Sequence, residues 1–369
     1  MTARTHSLLQ AVPTVTPQLT TGERTRRRIK TFGLRMLAKS RLTRLIGYRY
    51  GGSGVILMFH HFTRNTRAHL DQGCLIDDFG RILAGLKQRG RQVVTLDEAT
   101  RRIAQNDPRP FAVLTFDDGY RSNIDLALPL LEKYAAPATI YVPTEMMTRT
   151  INAWWLGLTE LFRSRERIEI EPMGQRFTCP DTNSKIAGLR RAVAWIWEDF
   201  HRAEMLGPTF TAHGVCVADI VARYTLDDAG VKAADRHPLI EIGAHTTTHR
   251  ALALLDEDQL RADIADNKAY LEALLGREVP HFAYPYGPPS LSGEREPRVV
   301  REAGFRTAVT TTPGCLFPAH AGHMFTLPRQ NAEFTADSAS YTECGIDGLF
   351  RALATRGGNP LAGVTAPAA

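Results

Sequence analysis

From about residue 51 onward, apolar positions along this chain alternate between two rhythms. Residues 55–59, 111–116, 138–142 and 239–244 are short apolar-rich runs of the length and composition of buried strands. Between them lie stretches with helical spacing. Residues 77–89 place Phe79, Ile82, Leu83 and Leu86 on one face, and residues 124–134 read as a second helix. A third follows Asp256, whose side chain suits an N-cap; it carries Leu260, Ile264, Leu271 and Leu275 as its buried stripe and ends at Gly276. Residues 281–284 and 307–311 read as two more short strands around a helix near 298–303. Repeated strand–helix–strand units favour a parallel sheet with right-handed crossovers, an α/β fold. Periodicity leaves open whether that sheet is doubly wound or closes into a barrel.

Residues 150–235 break the alternation with Trp-rich and charged segments and read as a mainly helical insertion in a domain spanning 51–350. Residues 351–369 read as a flexible tail, and residues 1–50 as a disordered and basic extension. Within that extension, 1–23 is a polar leader containing Pro13 and Pro17. Residues 24–50 set Ile29, Phe32, Met36, Leu42, Leu45 and Ile46 among basic residues, a weakly amphipathic helix. Such a helix either lies on an anionic membrane surface or a partner, or caps the domain.

Charge sharpens this reading. The formal net charge is +6, but ten Lys and Arg and no acid fall within 24–50, so the rest of the chain carries −4. Basicity is local, and a nucleic-acid partner is not expected. No run of 18 apolar residues is present, and the first thirty residues lack the apolar core of an export signal. The expectation is a cytoplasmic protein, with peripheral membrane contact through 24–50 on the surface-binding reading of that helix and none on the capping one. Cys74, Cys179, Cys216, Cys315 and Cys344 are scattered without a CxxC pair, which fits a reducing compartment and argues against a structural cysteine–zinc site.

Two segments carry chemistry. Thr115-Phe116-Asp117-Asp118-Gly119-Tyr120 ends the second predicted strand, where parallel barrels keep catalytic groups. Adjacent carboxylates ionise together only when a cation or a proton compensates. His245-Thr246-Thr247-Thr248-His249 follows the strand at 239–244; two histidines four apart can share a metal, and the three β-branched threonines favour a loop over a helix. Each segment alone also has a bland reading, as a turn and as two satisfied histidines. One carboxylate with two histidines makes a three-ligand set with open positions, the makeup of a hydrolytic metal site.

The pair TFDDGY and HTTTH resembles the signature of the polysaccharide deacetylase family, which includes chitooligosaccharide deacetylases. Phe282-Ala283-Tyr284-Pro285-Tyr286-Gly287 resembles its third motif, and the likeness runs over about 52–345 with 150–235 poorly matched. It implies a distorted (β/α) barrel of the NodB homology type, with a helical insertion. It implies that Asp118, His245 and His249 bind a divalent metal, zinc first with cobalt or nickel as alternatives. By the same resemblance Asp117 is the general base, Thr246 braces the histidine loop, and the Tyr286 backbone N–H serves an oxyanion hole. The implied reaction removes N-acetyl groups from N-acetylglucosamine-containing oligo- or polysaccharide.

The sequence departs from the family pattern at two places. Ala283 stands where many members have the arginine that orients the base, and no late catalytic histidine is evident near Thr326-Leu327-Pro328-Arg329. A branch resembling the biofilm poly-N-acetylglucosamine deacetylases permutes the motif order and places the acid histidine after the first strand. That position matches His60, with His61 as its competitor on the opposite face of an extended strand; Arg329 is the replacement for the missing arginine. Trp154 and Trp155 are expected to pack the insertion. Alternative readings are a non-catalytic carbohydrate-binding relative and a deacetylase or deformylase of a lipid-linked amino sugar.

Overall fold

The computed structural model describes residues 14–18, 21–40, 42–64, 70, 73–287, 291, 293, 295–333 and 337–362. They fall into two compact units, one comprising residues 25–151 and 221–369, the other 152–220 with the segment up to 24.

The larger unit is built on an eight-stranded, wholly parallel sheet. Its strands are β1 (Gly54–Phe59), β2 (Gln92–Val93), β3 (Phe111–Phe116), β4 (Ala138–Val142), β5 (Ile240–Ala244), β6 (His281–Ala283), β7 (Thr307–Val309) and β8 (Gln330–Asn331). The order is β7-β6-β5-β4-β3-β1-β8, with short β2 also paired to β3. One segment closes the ring: Leu327 bridges Val309 of β7, and three residues later β8 pairs with β1. The curled sheet is therefore a distorted barrel and not an open doubly wound sheet.

Strands β1, β3 and β4 are buried on both faces, so their sequences read as near-continuous apolar runs. Val55, Leu57 and Phe59 face the surrounding helices, as do Ala112, Leu114 and Phe116. Ile56, Val113, Tyr141, Ala283 and Val309 point into the barrel, where Leu96, Ala99 and Ile103 join them. Gly243 makes room for the Tyr141 ring; a Cβ there would lie 2.5 Å from Tyr141 Cδ1.

Helices α1 (Thr21–Ser40), α2 (Thr43–Tyr50), α3 (Ile76–Gln88), α4 (Leu96–Ala104), α5 (Leu128–Tyr134), α6 (Glu257–Leu275), α7 (Arg295–Glu302), α8 (Ser338–Ile346) and α9 (Leu349–Ala354) belong wholly or mostly to this unit. Helix α6 has the expected ends: Asp256 and Gln259 form a capping box, and Gly276 closes it at φ 68°. The helix expected at 124–134 begins instead as a π-helical turn, Asn123–Ala127. There Ser122 Oγ accepts from Phe62 N at 2.9 Å and Asn123 Nδ2 donates to His60 O at 2.7 Å. The wider turn accommodates two adjacent side chains gripping one loop.

Two expectations about the chain's margins need correction. The tail is ordered through residue 362, because the Arg351 guanidinium donates to the carbonyls of Pro360 and Ala362, and Tyr50 Oη donates to Gly358 O at 2.6 Å. Residues 363–369 lie outside the described ones. Within the stretch read as a leader, Thr14–Val15 forms a strand parallel to Gln175–Thr178, and α1 begins at Thr21; residues 1–13 are outside the described set. The smaller unit holds an antiparallel hairpin, Arg167–Ile170 with Gln175–Thr178, beside its helices. Its turn rests on Gly174 at φ 61°, and Phe177 packs edge-on against Phe162. In the same unit Trp154 is buried against Phe200.

Candidate active site and metal centre

Strand register assembles the site at the C-terminal end of the barrel. Phe59 of β1 pairs with Phe116 of β3, so the residues that follow, His60 and Asp117, emerge side by side. Asp117 N donates to Phe59 O at 2.8 Å, which locks the two strand ends together. Val142 pairs with Ala244, and Ala244 with Phe282, which carries the line on to His245 and Ala283. Four residues here hold the left-handed backbone conformation without being glycine: Asp118 (φ 70°), Thr246 (φ 66°), His249 (φ 54°) and Tyr286 (φ 60°). Such backbones persist only where surrounding contacts over-determine them, and they concentrate at functional sites.

Asp118, His245 and His249 converge, each buried, with one ligand atom apiece lying within 4.8 Å of the others. His249 Nε2 lies 3.1 Å and His245 Nε2 3.6 Å from Asp118 Oδ1. His245 Nδ1 is 2.6 Å from Ala283 O, a carbonyl that can only accept, so Nδ1 carries a proton and Nε2 is the nitrogen turned toward Asp118. Asp118 Oδ1 is buried and receives no well-directed hydrogen bond. An orphaned carboxylate oxygen facing two imidazole nitrogens suits a divalent cation of the borderline, nitrogen-accepting kind. Burial opposes charge on Asp118, but His249 and His245 outweigh it and hold its carboxyl well below the usual carboxylate range.

The histidine loop is braced from behind. Thr246 Oγ1 accepts from His249 N at 3.0 Å. Asp263 of α6 accepts from Thr247 N and Thr248 N at 3.1 and 2.8 Å. Asn267, one turn further along α6, accepts from His245 N at 2.9 Å and donates to Val142 O and Thr144 Oγ1. The apolar stripe of α6 was legible in sequence; that its polar positions 263 and 267 hold the loop was not.

Asp117 belongs to a different network. Both its oxygens accept from Arg329, at 2.7 Å each, and Arg329 is itself fully buried. Arg329 Nε donates to Thr310 O at 2.9 Å, and its guanidinium lies over the Tyr141 ring. Burial works against charge on Asp117; Arg329 and then His245 overcome it and lower its carboxyl below the ordinary range. With Ala283 offering no charge, the arginine that the structure sets against Asp117 is Arg329.

His60 points toward Asp117, with Nε2 3.9 Å from Asp117 Oδ2. Glu333 grips it twice, accepting from His60 N at 2.7 Å and pairing with Nδ1 at 3.0 Å. No sequence motif marked Glu333. Partial burial disfavours a charged imidazole here, yet Glu333, with Asp117 and Asp118 behind it, prevails and pushes His60 up to about 9. His61 turns the other way, with Nδ1 2.9 Å from Ser122 Oγ and its ring against Tyr120 and Tyr224. Tyr286 sets its ring edge-on to His249 at 5.0 Å. Its turn requires glycine next, since a Cβ on Gly287 would lie 2.6 Å from Thr311 N.

The profile of the polysaccharide deacetylase family matches residues 104–185 and 197–308. A predicted polysaccharide deacetylase of Bacillus subtilis (strain 168), YxkH, is 21% identical over 262 residues, 70% of this chain. The match takes in 64% of YxkH, so the chain spans less than two thirds of that relative's length. Among solved structures, the Streptococcus pyogenes deacetylase PplD, in complex with acetate, superposes with a TM-score of 0.50 at 18% identity, covering 75% of this chain and 91% of that one. A polysaccharide deacetylase from Bacillus cereus, BC0361, gives a TM-score of 0.50 at 15% identity, covering 79% and 68%. At these identities the likeness bears on the fold, and the fold is the distorted (β/α) barrel described above.

Proposed function

The chain belongs to the polysaccharide deacetylase family, and from that premise we propose that it is a metal-dependent hydrolase of N-acetyl groups on N-acetylglucosamine-containing oligo- or polysaccharide. The observation carrying this reading is the pairing of a buried, arginine-held carboxylate, Asp117, with the neighbouring Asp118–His245–His249 set. A protein that only bound sugar would have no use for a carboxylate kept ionised at that cost.

Asp118, His245 and His249 would hold the cation, with zinc the leading choice. Bound there, a divalent metal supplies Lewis-acid polarisation of the amide carbonyl and a lowered pKa for water. Asp117 takes the proton of the attacking water as general base, with Arg329 fixing its two oxygens so that the free lone pairs face the reacting atom. The Tyr286 backbone N–H contributes to the oxyanion hole. His60 delivers a proton to the departing amine, which is a very poor leaving group unprotonated. His60 is held protonated by Glu333 and Asp117 is held ionised by Arg329, so acid and base keep opposite protonation states 3.9 Å apart in one site.

Metal-stripped protein should release no acetate from N-acetylglucosamine oligomers, and added zinc should restore release, with cobalt and nickel as comparisons. Absence of release under every divalent metal would overturn the reading. A second prediction concerns pH. His60 acts protonated, so activity is lost as pH rises through its pKa. Replacing Glu333 by Gln removes the main group raising that pKa, and the alkaline limb of kcat/KM should move down, toward the ordinary histidine value of 6.5. An unmoved limb would take the acid role away from His60.

A further inference from the structure

We propose that α1 and α2 form a membrane-surface docking element whose outer face seats the protein on an anionic lipid bilayer. This inference does not depend on the deacetylase reading. Helix α1 has two apolar faces, and α2 extends the outer one. The inner face of α1 sets Leu34 and Ala38 against Cys344, with Tyr341, Leu349 and Phe350 packed around them. Arg35 fixes that contact through Asp337 at 2.6 Å, and Thr43 does the same for α2 through Asp347. The outer face of α1 carries Ile29, Phe32 and Met36 at helical spacing, with Ile29 65% and Phe32 66% exposed. Helix α2 continues it, with Leu42 just before the helix and Leu45 (67% exposed) and Tyr48 within it exposed, while Thr43 and Tyr50 are buried.

A helix packed on a domain ordinarily turns polar residues to solvent. Here, of ten exposed large hydrophobic residues among the described ones, seven fall between Ile29 and Tyr48. Charge selects the occupant. The ten Lys and Arg of residues 24–50, with no acid, lie in a chain that elsewhere carries −4. Anionic headgroups attract this segment and not the rest, and large apolar side chains among basic ones are the composition of helices lying in the headgroup plane. Among the described residues no single helix is long and apolar enough to cross a membrane.

Co-sedimentation of the full chain with phosphatidylcholine vesicles, with and without phosphatidylglycerol, tests this. Binding should require phosphatidylglycerol, weaken with salt, and fall by about tenfold or more in the variant Ile29→Ser, Phe32→Ser, Leu45→Ser. That variant should keep the Tm of the natural chain, since the three side chains are outward-facing. A Phe32→Trp variant should gain a blue-shifted emission component on anionic vesicles, quenched by brominated acyl chains. Failure to sediment at low salt, or undiminished binding by the triple variant, would overturn the proposal. A vesicle-indifferent dimer dissolved by the triple variant would overturn it too, and reassign the face to a second copy of the chain.

Discussion

Replacing Asp117 by Asn is expected to lower turnover by about a thousandfold while leaving bound metal at the level of the natural chain. The split follows from the geometry. Asp117 gives both oxygens to Arg329, whereas Asp118 gives Oδ1 to the space between His245 and His249. An amide of the same shape keeps one acceptor for Arg329 but cannot take a proton from water. Metal content by elemental analysis and acetate release on one sample separate the two roles. Turnover within about tenfold of the natural rate would remove Asp117 as base. Loss of metal with activity would mean that both adjacent carboxylates are ligands. The matching change at Asp118 should show the opposite order, with metal lost first and activity as a consequence.

The second large effect is expected at Arg329, in stability as well as rate. Arg329→Met keeps the length of the side chain and removes its charge. Asp117 then remains buried without its principal partner, a situation costing about 3–5 kcal/mol. Thermal unfolding should shift down by about 5 °C or more. Removing Arg329 also removes the largest influence lowering the Asp117 carboxyl, so desolvation dominates and its pKa rises. Less of the base is then ionised, and the acidic limb of kcat/KM should move to higher pH. Asp117→Asn combined with Arg329→Met should be more stable than Arg329→Met alone, because it buries no lone charge. A pair that unfolds at the natural temperature singly, with rates hardly changed, would reduce Arg329 to a packing residue.

The local grammar of this protein was readable from one sequence. Buried strands announce themselves as apolar runs, and β3 and β4 fall on the predicted residues. Helix α6 announced its ends through Asp256 and Gly276, since capping is a matter of a few neighbouring residues. The motifs at 115–120 and 245–249 followed their strands closely enough to be placed at one end of a barrel. Each of these signals is carried by residues a few positions apart.

What the sequence left silent depends on register and closure. Arg329 and Asp117 are 212 positions apart, and His60 and Glu333 are 273 apart. Each pair meets because the segment around residues 327–333 closes the ring between β7 and β1. No periodicity encodes that meeting, and Glu333 has no motif around it. The outward face of α1 is similar: the sequence offered a capping helix or a surface-binding one, and the fold uses opposite faces of the same helix, one packed on Cys344 and the other exposed. Sequence determined which segments are strands, helices and chemical loops, because hydrogen bonding and burial repeat locally. The tertiary structure decided which distant charges share one buried volume, because only the closed ring of strands fixes who stands beside whom.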